Sequence, residues 1–180
     1  CYRPDRAPAD AATRHAVFAR TLAACGVDGL LVETFPSPTE ALQALDGALA
    51  TGLPTWLALT AGYTGDLLTP EQVRAIGTEA VQRGAAAVLI NCTPAAETLP
   101  FVQALASLPV PVGAYANAGH PDHGIGWTPS TDGPERYAAI AVRWILAGAT
   151  LIGGCCGTGP EHIAATKLLY ERHHVVRDKK

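Results

Sequence analysis

A short apolar run, a turn and a helix start recur five times along this chain, and that grammar leaves few folds open. Asp28 to Thr34, Pro54 to Thr60, Ala86 to Asn91, Pro111 to Ala116 and Thr150 to Gly154 each read as a strand, and the Gly-Leu-Leu-Val centre of the first suits one covered on both faces. Helix starts follow them. Ser37-Pro38-Thr39-Glu40 and Thr69-Pro70-Glu71-Gln72 are capping-box patterns with proline in the first helical turn, and Asp132-Gly133-Pro134-Glu135 and Pro160-Glu161 open two more helices. Leu42, Leu45 and Leu49 form one helix face closed by Gly52, and Val73, Ile76 and Ala80 form another before Gly84. Between Cys92 and Ser107 a helix with an irregular start is expected, because Pro100 falls inside it. One helix, Asp10 to Cys25, precedes the first strand, with Phe18, Leu22 and Cys25 at helical spacing beside Val17. Cys25 is therefore expected in the core as a small hydrophobe.

Strands that alternate with helices imply a parallel sheet with right-handed crossovers. A doubly wound nucleotide fold would carry a glycine-rich phosphate loop after an early strand, and the turn from Thr34 to Pro38 has none. The alternative is a (β/α)8 TIM barrel, and the strand ends favour it. Glu33, Thr60, Cys92, Asn117, Cys155 and Cys156 all stand at C-terminal strand ends, the face where barrel sites gather. Such barrels need about 200 to 250 residues, so this chain is expected to be an incomplete barrel with five parallel strand-helix units and the N-terminal three missing. The start at Cys1 and the absence of methionine agree with a fragment. An open sheet would leave edges and apolar surface exposed, so the chain in isolation is expected to be poorly soluble or inactive.

With 48% hydrophobic and 16% charged residues, the 180 residues suffice for one globular domain spanning 1–180. A net charge of -3 gives no footprint for nucleic acid. Neither a membrane-spanning apolar stretch nor a signal peptide is present in the sequence, so a cytoplasmic protein with small-molecule partners is expected.

The five cysteines do not form a secreted disulfide framework. In Leu151-Ile152-Gly153-Gly154-Cys155-Cys156-Gly157-Thr158-Gly159-Pro160-Glu161-His162, a strand end delivers two thiols to a helix N-terminus, where thiolate is favoured. Cys92 likewise ends an apolar run. The three thiols could make a three-thiolate metal site with an open fourth position, the mark of a catalytic rather than a structural site. Cys155 and Cys156 could instead form a vicinal disulfide or simply fill a tight turn. A thiol-disulfide role is the weaker reading, because no Cys-x-x-Cys motif is present.

Taken together, Val32-Glu33-Thr34, Asn91-Cys92, Tyr115-Ala116-Asn117-Ala118-Gly119 and Gly153-Gly154-Cys155-Cys156-Gly157-Thr158 resemble the homocysteine S-methyltransferase family. The resemblance covers essentially the whole chain, as the C-terminal portion of that family's barrel. It implies a zinc enzyme with Cys92, Cys155 and Cys156 as ligands and with Glu33 holding the amino group of homocysteine. The fourth ligand would be the substrate thiol, which zinc ionises at neutral pH before it attacks a methyl group to give methionine. Stand-alone relatives use a sulfonium donor, S-methylmethionine or S-adenosylmethionine, while others use betaine. Nothing here fits a folate or cobalamin module, so a sulfonium donor is expected. Selenocysteine could replace homocysteine as acceptor. The alternative to an enzyme is a zinc-binding remnant without turnover.

The remaining candidates carry two readings each. Glu33 could be a structural acid paired with an arginine. Asn117 is a substrate-binding candidate, yet it and Asn91 could equally cap loops. His120 and His123 are expected on a loop surface rather than on metal. Tyr63, Tyr115 and Trp127 could attract a cationic donor through their rings, or pack at the rim.

Overall fold

The computed structural model describes residues 2–118, 120–121, 127–128 and 133–177; the side chains of 120, 121, 127, 128 and 173–177 lie outside the description. In chain order the elements are α1 (Ala11–Ala24), β1 (Leu30–Phe35), α2 (Pro38–Leu49), β2 (Thr55–Leu59), α3 (Pro70–Arg83), β3 (Ala87–Pro94), α4 (Leu99–Leu105), β4 (Val112–Asn117), β5 (His120–Pro121), β6 (Trp127–Thr128), α5 (Gly133–Leu146), β7 (Leu151–Gly154) and α6 (Pro160–Arg177). Five strands make one parallel sheet in the order β1-β2-β3-β4-β7, and β5 and β6 form a separate antiparallel pair. The order follows the chain without the reversal that a doubly wound sheet requires. Strands alternating with helices in this sequential order are the arrangement of a partial TIM barrel.

Strand alternation divides the sheet into two faces. Leu30, Val32, Leu57, Leu59, Val88, Ile90, Val112 and Ala114 join Leu45, Val73, Ile76, Val102, Leu105 and Trp144 in the main core. Leu45, Leu57, Leu59 and Leu105 are wholly enclosed at 0% exposure, each contributing about 1.5–3 kcal/mol by burial. The opposite face holds a small cluster, Ala58, Ala87 and Leu89, against which Tyr115 and Leu151 pack. Towards β1 this inner face is open, and Leu31 and Trp56 are exposed there. No helix among the described residues is long and apolar enough to cross a membrane.

The caps form much as the sequence requires. Thr69 and Gln72 make the full reciprocal capping box at the start of α3. At α2, Ser37 Oγ accepts from the Glu40 amide, while the Glu40 carboxylate lies 3.1 Å from His15 Nε2 of α1. Pro100 does not disturb its helix: β3 runs on to Pro94, a 3-10 turn spans Ala95–Glu97, and α4 then starts with Pro100 in its first turn.

Cys25 is a correction. It is exposed rather than in the core, at the C-terminal cap of α1. The helix packs on α2 through its small residues, Ala11 and Ala19 being buried and the backbone of Ala16 lying against Gly47, so the Val17 and Phe18 side meets solvent. A Cβ on Gly47 would sit 2.9 Å from Ala16 Cα, which is the reason that glycine is there. Helical spacing of the larger side chains pointed to the wrong stripe.

Candidate metal centre

Two strands kink where they reach the site. The pairing of β1 with β2 shifts between Val32 and Phe35, and that of β3 with β4 shifts between Asn91 and Pro94. Inside those shifts lie Thr34 with φ 65° and Cys92 with φ 47°, left-handed conformations costing about 1–3 kcal/mol each for residues with a Cβ. Such bulges re-aim side chains at a strand end.

The third strand end supplies the paired cysteines. β7 stops at Gly154, and the ladder continues beyond it through Cys155 N donating to Ala116 O and Ala118 N donating to Cys156 O, both at 2.9 Å. Thr158 then folds the turn back, its hydroxyl donating to Cys155 O at 2.7 Å. Gly154 must be glycine here, since a Cβ would come within 2.7 Å of Thr158 Cβ. The turn closes at α6, where the Gly159 amide donates to Nδ1 of His162, a side chain almost wholly enclosed.

The sulfurs of Cys92, Cys155 and Cys156 all lie within 4.8 Å of one another. Cys92 and Cys155 are joined as a disulfide, a pairing the sequence did not suggest, and Cys156 is free and exposed. With that pair reduced, the donor set fits zinc: three soft thiolates at about 2.3 Å from a tetrahedral ion stand about 3.8 Å apart. All three sulfurs lie within 4.8 Å of one another, so one ion could reach them once the Cys92–Cys155 bond is opened.

Side chains around the cysteines are committed to holding them. Asn117, 1% exposed, donates from Nδ2 to Cys92 O at 2.9 Å and accepts at Oδ1 from Cys156 N at 3.1 Å, so one amide ties both cysteine loops. Thr34 Oγ1 lies 3.8 Å from Cys92 Sγ and accepts from Asn91 Nδ2 at 2.7 Å. Tyr2 donates to Cys92 O at 3.1 Å and stacks obliquely on Tyr63, ring centres 4.0 Å apart. The buried Tyr137 hydroxyl donates to Gly153 O at 2.7 Å and accepts from Ala116 N at 3.1 Å, joining β4 to β7 directly beneath the cysteine pair. Burial pushes the Tyr137 phenol well above its ordinary value.

Glu33 is exposed and, among the described residues, pairs with no arginine; its Oε2 accepts from the Tyr115 hydroxyl at 2.9 Å. Burial, and then the charge of Glu33, push the Tyr115 phenol far up, so it remains a donor. Thr60 is fully buried, its hydroxyl accepting from Gly62 N at 3.1 Å as part of a turn. His123 lies outside the described residues. His120 and Trp127 belong to the β5–β6 pair, and their side chains lie outside the description.

Sequence reasoning gave no role to Thr34, Tyr137 or Tyr2. Tyr137 sits one helical turn before Ile140 and two before Trp144, a spacing that marks it as inward-facing. Neither the reach of the Tyr2 hydroxyl nor the positive φ of Thr34 has a sequence signal.

The homocysteine S-methyltransferase family model matches residues 4–169. This chain belongs to that family. Among curated members, the homocysteine S-methyltransferase of Escherichia coli is 32% identical over 149 residues, covering 79% of this chain and 47% of that one. A homocysteine S-methyltransferase of Bacillus subtilis is 33% identical over 155 residues, covering 80% and 47%. The selenocysteine Se-methyltransferase of Brassica oleracea var. italica is 29% identical over 154 residues, covering 81% and 44%. The chain thus spans about half the length of the curated homocysteine S-methyltransferases it matches. Among solved structures, a candidate phosphonomutase from Burkholderia cenocepacia superposes with a TM-score of 0.65 at 16% identity, covering 86% of this chain and 71% of that one. A type I 3-dehydroquinate dehydratase from Clostridium difficile gives 0.57 at 13%, covering 89% and 62%. At such identities the likeness concerns the fold.

Proposed function

We propose that this chain carries the thiol-activating half of a methyltransferase that moves a methyl group from a sulfonium donor, S-methylmethionine or S-adenosylmethionine, to homocysteine, giving methionine. The observation that carries the reading is the convergence of Cys92, Cys155 and Cys156, within 4.8 Å of one another, at the strand ends. A zinc ion held by these three residues would supply the Lewis acidity that lets a thiol ionise at neutral pH.

The chain's own residues do the rest by placement. The Glu33 carboxylate accepts from the ammonium group of the amino acid, with Tyr115 donating to one carboxylate oxygen and fixing its direction. Thr34, the next residue, touches Cys92, so the ammonium site and the thiol site are set by consecutive residues of one kinked strand. Asn117 holds both cysteine loops, and any direct contact with substrate would fall to its remaining amide hydrogen. The acceptor sulfur, its proton released to solvent, attacks the methyl carbon in line. A sulfur–carbon bond forms as the donor's breaks, and the electron pair returns to the donor sulfur, which leaves as a neutral thioether.

Selenocysteine is a second acceptor to consider, supported by the relatives named selenocysteine methyltransferases. The test is methionine formation from homocysteine with each sulfonium donor, beside betaine, by the reduced protein and a Cys156→Ser variant. Methionine from a sulfonium in the parent and none in the variant is expected, which would also overturn the expectation of a chain inactive in isolation. No product from any donor, with zinc bound, would favour a metal-binding remnant.

A further inference from the structure

We infer that Thr34 is a positioning residue for the Cys92 thiolate and that Asn91 aims it, an inference that rests on the three-thiolate reading above. A thiolate can only accept, so the Thr34 hydroxyl, 3.8 Å away, spends its single hydrogen on Cys92 Sγ. Its oxygen is then an acceptor, and the partner at 2.7 Å must be a donor, which sets the Asn91 amide with Nδ2 towards Thr34. This orientation leaves Asn91 Oδ1 without a partner among the described residues although the residue is 0% exposed. Leaving a buried acceptor unpaired is costly, so the amide is held for what its nitrogen does.

The backbone agrees. Thr34 and Cys92 are the non-glycine residues with positive φ among the described residues, and each stands inside a register shift. Strict alternation from Val32 and from Ile90, both in the main core, would turn Thr34 and Cys92 towards the helix layer. Two separate kinks instead bring them together. Asn91 N–H to Thr34 O–H to sulfur is thus a donor relay in one direction, of the kind that orients a metal's ligands from behind and whose loss costs about 10- to 100-fold in metal affinity.

The test measures zinc affinity by competition with a chromophoric chelator, and the sulfur-to-cobalt charge-transfer band of the cobalt-loaded protein, for the parent, Thr34→Val, Thr34→Ala and Thr34→Ser. Valine keeps the branched shape and removes only the hydroxyl; alanine serves should valine fail to fold, with circular dichroism as the check. Valine and alanine are expected to weaken zinc binding about 10- to 100-fold and to shift the band. Serine is expected to restore both. Parent-like affinity and band in the valine variant would overturn the role of Thr34 while leaving the metal site standing, as would a serine variant no better than valine. A parent that takes up no zinc would overturn both.

Discussion

The Tyr115 hydroxyl on β4 donates to the Glu33 carboxylate on β1 at 2.9 Å, across the inner face of the sheet and over two intervening strands. One bond therefore ties an exposed acid to a phenol that burial keeps protonated. Glu33→Gln removes the charge and should raise KM for homocysteine about 10- to 100-fold, the worth of a hydrogen bond to a charged group. Tyr115→Phe should raise it about 3- to 10-fold, as loss of one orienting bond does. Steady-state kinetics with varied acceptor checks both, and an unchanged KM in Glu33→Gln would remove Glu33 from the ammonium site.

Alkaline pH should reveal the two buried phenols. Tyr115 and Tyr137 are both raised above the ordinary phenol value of 10.0, chiefly by burial. Below about pH 10 folded and unfolded states alike keep these protons, and the contribution to stability is complete. Above it the unfolded chain releases them while the fold retains them, so stability falls as pH rises. Ultraviolet titration should show these phenols ionising only as the chain unfolds. Urea midpoints for Tyr137→Phe should fall less steeply with pH than the parent's; parallel curves would contradict the assignment.

Asn117 works through the loops it ties. Asn117→Ala should cost about 1–3 kcal/mol, because it strands Cys156 N and Cys92 O. Chelator competition should show weaker zinc binding in this variant. Zinc bound as tightly as in the parent, with a raised KM for homocysteine, would instead assign Asn117 to direct substrate contact.

Gly113 lets β4 meet β7. A Cβ there would collide with the Leu151 carbonyl oxygen and stand 2.8 Å from its carbonyl carbon, both backbone atoms that cannot swing aside. Gly113→Ala should destabilise by about 1–3 kcal/mol or more and disturb the Cys155–Cys156 loop next along the same strand. A thermal melt measures it, and a parent-like melting temperature would contradict that packing.

The repeating strand-helix grammar was legible because helix caps and apolar runs are local signals, and Thr69 with Gln72 makes the very bonds its spelling promised. The strand-end rule brought the three cysteines together. Illegible were the features that depend on three dimensions at once. The face of α1 was misread because Gly47 and Ala16 approach closely, and small residues leave no hydrophobic peak in the sequence. The bonds from Tyr115 to Glu33 and from Asn117 to Cys92 and Cys156 span 25 to 82 residues, and no spacing rule reaches so far. The kinks at Thr34 and Cys92 carry no glycine to announce them.

Zinc content of the reduced protein, measured beside Cys92→Ala, Cys155→Ala and Cys156→Ala variants, tests the three-thiolate site most directly. Stoichiometric zinc in the parent, coordination by three protein sulfurs in X-ray absorption, and loss of metal in each variant are expected. A parent without zinc, or a Cys156→Ala variant that retains it at full affinity, would rule out the three-thiolate site.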